Sequence, residues 1–139
     1  MRLRRKKVKM VRNVRYKRGL NVAYKIWGKK FVDETLKDLR KINKDLEKYL
    51  VEYAFGEIYG RKRLDEKTRI LCTITALATL GKETQLKWHI LGGLKNGIPK
   101  ETIIETLIHT SVYAGFPAAW NALRVAQQAF KEYEEEKEK

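Results

Sequence analysis

The chain has 139 residues, a length that suits one domain, and its 43% hydrophobic residues are enough for a packed core. No apolar run approaches the ~20 residues needed to span a bilayer, and the single cysteine, Cys72, excludes an intrachain disulfide or a CxxC pair and points to a reducing cytoplasm. The net charge of +14 is concentrated at one end: residues 1–30 hold 13 Lys/Arg and no acid, whereas residues 31–139 hold 18 Lys/Arg against 17 Asp/Glu.

The basic start has no apolar stretch behind it, so it does not read as a secretory signal. Residues 1–15 read as a basic arm, 16–135 as a helical domain and 136–139 as a charged tail. An arm of this charge can bind nucleic acid or another anionic surface. It can also be a solvated tail, or pack on an acidic surface of a neighbouring subunit, for which the run Glu132, Glu134, Glu135, Glu136, Glu138 is an obvious candidate. A structural or oligomeric role is preferred to nucleic acid, because no aromatic platform or binding motif accompanies the arm. Two prolines and 35% charged residues suit a helical protein, and a thermophilic one in which Lys and Glu are enriched.

Everything after the arm has helical periodicity. A short helix is predicted over 17–27, broken by Gly28. Leu36, Leu39, Ile42, Leu46, Tyr49, Leu50 and Tyr53 then recur three or four apart and make one apolar face, with an interruption near Asn43. Residues 61–67 form a polar connection in which Asp65 is a plausible N-cap. The stretch 68–80 is apolar on nearly every side, which predicts a central buried helix ended by Gly81. A helix over 83–95 follows and stops at Asn96–Gly97. Pro99 begins another in its first turn, carrying Ile103, Ile104, Leu107, Ile108 and Val112 to Gly115. Pro117 opens the last, whose Ala118, Ala119, Ala122, Ala126 and Ala129 permit close helix approach. No hairpin or βαβ pattern and no internal repeat is present, so the fold class is all-α: a bundle of about six to seven helices.

Few residues can do chemistry. His89 shares a helical stripe with Gln85, Gly92, Gly93 and Asn96, so small and polar residues leave space beside its imidazole. Glycine within a helix costs about 1 kcal/mol relative to alanine, and two together need a reason: a pocket that a ligand enters, or a second helix crossing closely. Trp88 faces elsewhere, about 100° around the helix. His109 and Tyr113 share a face of the next helix, where a histidine is more often a hydrogen-bonded core group than a catalyst. Glu57 lies among Tyr53, Phe55 and Tyr59, where desolvation can raise a carboxyl pKa into the range useful for proton transfer. The other reading of Glu57, which spacing alone favours, is a surface acid paired with Arg61 or Arg63. Two histidines and one cysteine far apart, with no HxxxH, HExxH or CxxC, argue against a metal, and the absence of GxGxxG or a P-loop argues against a nucleotide cofactor. Cys72, inside the apolar helix, reads as inert core.

The string from Tyr53 to Gln127 resembles the carboxymuconolactone decarboxylase family. The resemblance is carried by YAFGEIY (53–59), Leu64–Asp65 followed by Thr68–Arg69, His89 with a small residue four later, Asn96–Gly97, the Glu101/Glu105 helix, and Tyr113-Ala-Gly-Phe-Pro-Ala-Ala119. It holds over roughly residues 49–130, more loosely from Gly19 to Asp33, and not over the first ~15. It implies an alkylhydroperoxidase D-like helical subunit assembling as a homo-oligomer, a trimer or hexamer, active in aromatic compound catabolism. The family reaction converts 4-carboxymuconolactone to an enol-lactone and carbon dioxide without a cofactor. Carried onto this chain, His89 and Glu57 are the expected acid/base pair, Arg69 the clamp for a substrate carboxylate, and Tyr113, His109 and Trp88 further substrate contacts. A sister branch, the alkylhydroperoxidase-like proteins, uses a CxxC pair ending four residues before the histidine. Those positions are Lys82 and Gln85 here, so a peroxidase-type redox reaction is disfavoured. The alternative from another class is a non-catalytic oligomeric protein whose arm contacts nucleic acid.

Overall fold

The computed structural model describes the backbone of residues 2–139 and the side chains of residues 14–139. Seven α-helices and one π-helix account for nearly all of it, and no strand occurs among the described residues. The chain divides into two compact units, one ending at Arg63 and the other running from Leu64 to Lys139. No helix among the described residues is long and apolar enough to cross a membrane.

In the first unit, α1 runs from Arg2 to Trp27. It is far longer than the predicted 17–27 helix and passes without a break through the expected end of the arm at residue 15. Lys and Arg are good helix formers, so a basic sequence can continue the helix despite its like charges. Gly28, at φ +85°, supplies the turn into α2, Lys29–Ile42. Asn43 interrupts the next stretch as expected: it leaves helical geometry and its side chain accepts from Leu46 N at 2.8 Å, capping α3, Lys44–Tyr49. The chain then enters a π-helix over Leu50–Tyr59, which apolar spacing did not reveal.

α1 packs directly on this π-helix. Where they cross, side chains are excluded: a Cβ built on Gly19 would lie 1.9 Å from the Val51 carbonyl oxygen, and one on Gly56 would lie 2.9 Å from that of Arg15. Ala23, Ile26, Trp27, Val32, Leu36 and Val51 are buried, and Trp27 meets Phe55 with ring centroids 5.4 Å apart. A buried acid also helps hold this unit. Glu47 accepts hydrogen bonds from the Tyr16 hydroxyl and, at 2.9 Å, from Arg40 Nη2. Burial, with the Glu47 carboxylate beside it, pushes the Tyr16 phenol up to about 12.

The second unit contains α4 (Glu66–Leu80), α5 (Glu83–Lys95), α6 (Lys100–Ala114) and α7 (Phe116–Lys137). Local signals set their ends. Asp65 caps α4 by accepting from Thr68 N at 3.0 Å, Gly81 ends it at φ +67°, and Gly97 follows α5 at φ +83°. The core is apolar, built from Ile70, Ile74, Leu86, Ile90, Ile103, Leu107 and the alanine face of α7.

The expectation that α4 is buried all round is corrected. Only its Ile70, Ile74 and Ala78 stripe is buried, packed in this unit by α5, α6 and α7. Cys72, Ala76 and Leu80 are exposed. Cys72 is therefore a surface thiol and not the inert core residue predicted, because the sequence shows apolarity but not which sides of a helix are covered.

Candidate functional site

Glu57 sits in the π-helix of the first unit, half-buried, with Phe55 and Tyr59 beside it in sequence and stacked edge to face at 5.9 Å. It forms an ion pair with Arg15 of α1. The glycine crossing explains the pairing: Gly19, one turn after Arg15, and Gly56, next to Glu57, bring the two backbones together. Arg15 is the residue sequence reasoning missed. Arg61 and Arg63 were the expected alternatives because they are near in sequence, whereas Arg15 is 42 positions upstream and reachable only through tertiary packing.

His89 lies on α5 of the second unit, largely withdrawn from water. Burial pushes its imidazole down to about 4, because desolvation disfavours the charged form of the ring. Near neutral pH it is therefore the uncharged ring, with one nitrogen able to accept a proton and the other to donate one. Trp88 beside it is half-buried, as is Arg69 in the first turn of α4. A guanidinium stays protonated at any relevant pH and offers a planar fork matched to a carboxylate.

Part of the His89 stripe has a packing explanation. A Cβ on Gly93 would lie 3.3 Å from both Ile70 Cγ2 and Ile98 Cδ1, so this glycine marks a close crossing of α4. Asn96 donates from Nδ2 to the Gly92 carbonyl at 2.7 Å and so finishes its own helix. His109 and Tyr113 lie on the surface of α6, with ring centroids 6.1 Å apart. His109 is thus not the hydrogen-bonded core group that its apolar helix suggested. It borders an open groove of about 620 Å³ with Glu101, Thr102, Glu105 and Thr106. Tyr113 is 88% exposed, so no wall of its own unit encloses it. Among the described residues no group of three or more His, Cys, Asp or Glu is placed to hold a metal ion. Lys82 and Gln85, where a redox relative would carry its thiols, are exposed at the start of α5.

The class these features define is an all-helical protein that lacks the paired thiols and carries a desolvated, neutral histidine on α5 of its second unit. Its sequence matches the profile of the carboxymuconolactone decarboxylase family over residues 44–128. It is 37% identical over 118 residues to a 4-carboxymuconolactone decarboxylase of Acinetobacter baylyi, covering 85% of this chain and 88% of that one. A nitrosuccinic acid decarboxylase of Metarhizium robertsii is 26% identical over 114 residues, covering 82% and 80%. An uncharacterized 15.0 kDa protein of Paracoccus denitrificans is 38% identical over 89 residues, covering 63% and 66%. The chain belongs to the carboxymuconolactone decarboxylase family.

Proposed function

We propose that this protein is a cofactor-independent carboxy-lyase that decarboxylates a small carboxylated lactone, 4-carboxymuconolactone or a near analogue, to an enol-lactone. The observation that carries the reading is the desolvated, neutral imidazole of His89 in a chain 37% identical to a 4-carboxymuconolactone decarboxylase. In such a substrate the bond from the ring carbon to its carboxylate breaks, carbon dioxide leaves, and the bonding electrons pass into the conjugated lactone as a dienolate. A proton then adds at carbon to give the enol-lactone. The substrate is its own electron sink, so the protein need only orient it, stabilise the developing oxyanion and deliver the proton.

In this scheme the N–H of neutral His89 hydrogen-bonds the lactone oxygen as charge builds, and a proton drawn from water is relayed through its imidazole to the ring carbon, with Glu57 as the second acid/base group held by Arg15. Arg69 clamps a substrate carboxylate through paired hydrogen bonds. Trp88, Tyr113 and His109 supply further contacts, the exposed pair once a neighbouring copy covers them. Support for that assembly comes from α6 and α7, where an apolar groove of about 700 Å³ runs past Ile108, Phe116, Trp120 and Phe130. Phe116 is 78% and Trp120 64% exposed, a patch of the kind that marks an interface. The working form is a homo-oligomer, a trimer or hexamer, in a reducing cytoplasm that keeps Cys72 a thiol.

Loss of carboxymuconolactone absorbance tests the reaction. His89→Ala is expected to lower kcat by about 10²-fold or more, the range set by a positioned proton-transfer group. Unchanged turnover in this variant removes the central claim.

A further inference from the structure

We infer that the N-terminal half of α1 is a docking element for duplex nucleic acid, which it grips through the phosphate backbone without reading sequence. The first observation is where the charge lies. Seven of the eleven residues from Arg2 to Arg12 are Lys or Arg, none is acidic, and the backbone there is helical. On the same helix Lys17 and Arg18 are exposed, and no carboxylate among the described residues pairs with them. Like charges three and four residues apart destabilise a helix, and cations in its first turn oppose its dipole. An external anion relieves both.

The second observation removes the partner that the sequence suggested within the protein itself. The C-terminal acids are already engaged in their own unit: Glu132 with Lys87 at 2.9 Å, Glu134 with Lys100 at 2.8 Å, and Glu136 with Lys95 at 3.6 Å. Glu135 pairs with Lys131 at 3.9 Å, so four of the five acids at 132–138 are already partnered by lysines. Little uncompensated negative charge is left there to hold a cationic helix.

The pattern also chooses among polyanions. On a helical wheel Leu3, Met10, Val11 and Val14 fall within about 100° of one another, but Lys7 lies among them, so the continuous apolar face that an interfacial membrane helix buries is interrupted. The aromatic residues of α1 are committed elsewhere: Tyr16 to Glu47, Tyr24 to Asp33 at 2.6 Å, and Trp27 to Phe55. None is left to stack unpaired bases, which single-strand binding uses. A cationic helix about 10–12 Å across matches the major groove of a duplex, about 12 Å wide.

The test is fluorescence anisotropy of the full-length protein with a labelled 20-base-pair duplex, against salt. With five to seven phosphates neutralised, affinity is expected to fall on the order of 10³-fold between 50 and 200 mM NaCl. A fourfold variant, Arg4→Gln, Arg5→Gln, Lys6→Gln and Lys7→Gln, is expected to reduce the log–log salt slope by about 3 to 4, with circular dichroism and decarboxylase turnover unchanged. The wild-type slope stands even if the variant misfolds. A slope near zero, equal binding by a folded variant, tighter binding to the single strand, or capture by phosphatidylserine vesicles without duplex binding overturns the inference. Loss of turnover alone bears on the decarboxylase reading and not on this one.

Discussion

Up to Arg63 the chain carries 21 Lys/Arg and 7 Asp/Glu, a net +14; from Leu64 onward it carries ten of each and is neutral. The two units also hold themselves together differently. The first relies on a crossing of bare backbones at Gly19 and Gly56 and on a buried carboxylate, Glu47. The second relies on interdigitated Ile, Leu and Ala side chains with its charges paired outside. A few short-range, atom-specific contacts support a unit whose net charge works against compaction, whereas a neutral unit can spread its stability over many small apolar contacts.

The sharpest way to break this contrast is to add one methyl group to each unit. Gly19→Ala places a Cβ against a carbonyl oxygen that belongs to the backbone and cannot yield, and is expected to cost roughly 3 kcal/mol or more in urea unfolding. Glu47→Ala, which strips a buried acceptor from Tyr16 and Arg40, is expected to cost about 2 kcal/mol, with Glu47→Gln milder because an acceptor remains. Stability against pH separates the units next. His89, with its pKa lowered to about 4, favours the fold above pH 6.5, and that contribution is lost as pH falls from 6.5 toward 4, at up to about 1.4 kcal/mol per pH unit. Tyr16, with its pKa raised to about 12, favours the fold below pH 10 and loses that contribution between 10 and 12. His89→Gln should flatten the acid limb and Tyr16→Phe the alkaline one, both read from melting curves. The smallest effect expected is Gly93→Ala, about 1 kcal/mol, since the Ile70 and Ile98 methyl groups it meets at 3.3 Å can shift. Equal costs for Gly19→Ala and Gly93→Ala would erase the distinction.

Sequence reasoning worked where the determinant is local. The bounds of α5, the cap at Asp65, the stop at Gly81 and the break at Asn43 each depend on one residue's own backbone or side chain. It failed where the determinant is a neighbour distant in the chain. The π-helix keeps apolar residues at spacings an α-helix would also use, so only its hydrogen-bond register distinguishes it. The open side of α4 looks like core until its neighbours are placed. Of the candidate site, His89 was legible as an unusual imidazole beside small residues, but the burial that lowers its pKa and the helix crossing at Gly93 depend on packing that spacing does not show. Glu57 was legible as an acid among aromatics, but its partner Arg15 was hidden in a run of cations that looked interchangeable.

The glycine crossing limits how this chain can vary in length. Because Gly19 sets the register of α1 against the π-helix by backbone contact, no side-chain repacking can absorb a slip there. One residue deleted between Arg15 and Gly19 would rotate Arg15 by about 100° and carry it away from Glu57. Insertions or truncations upstream of residue 14 leave that pairing untouched. Changes of length upstream of residue 14 therefore spare this crossing, while the five positions from Arg15 to Gly19 tolerate no change in number.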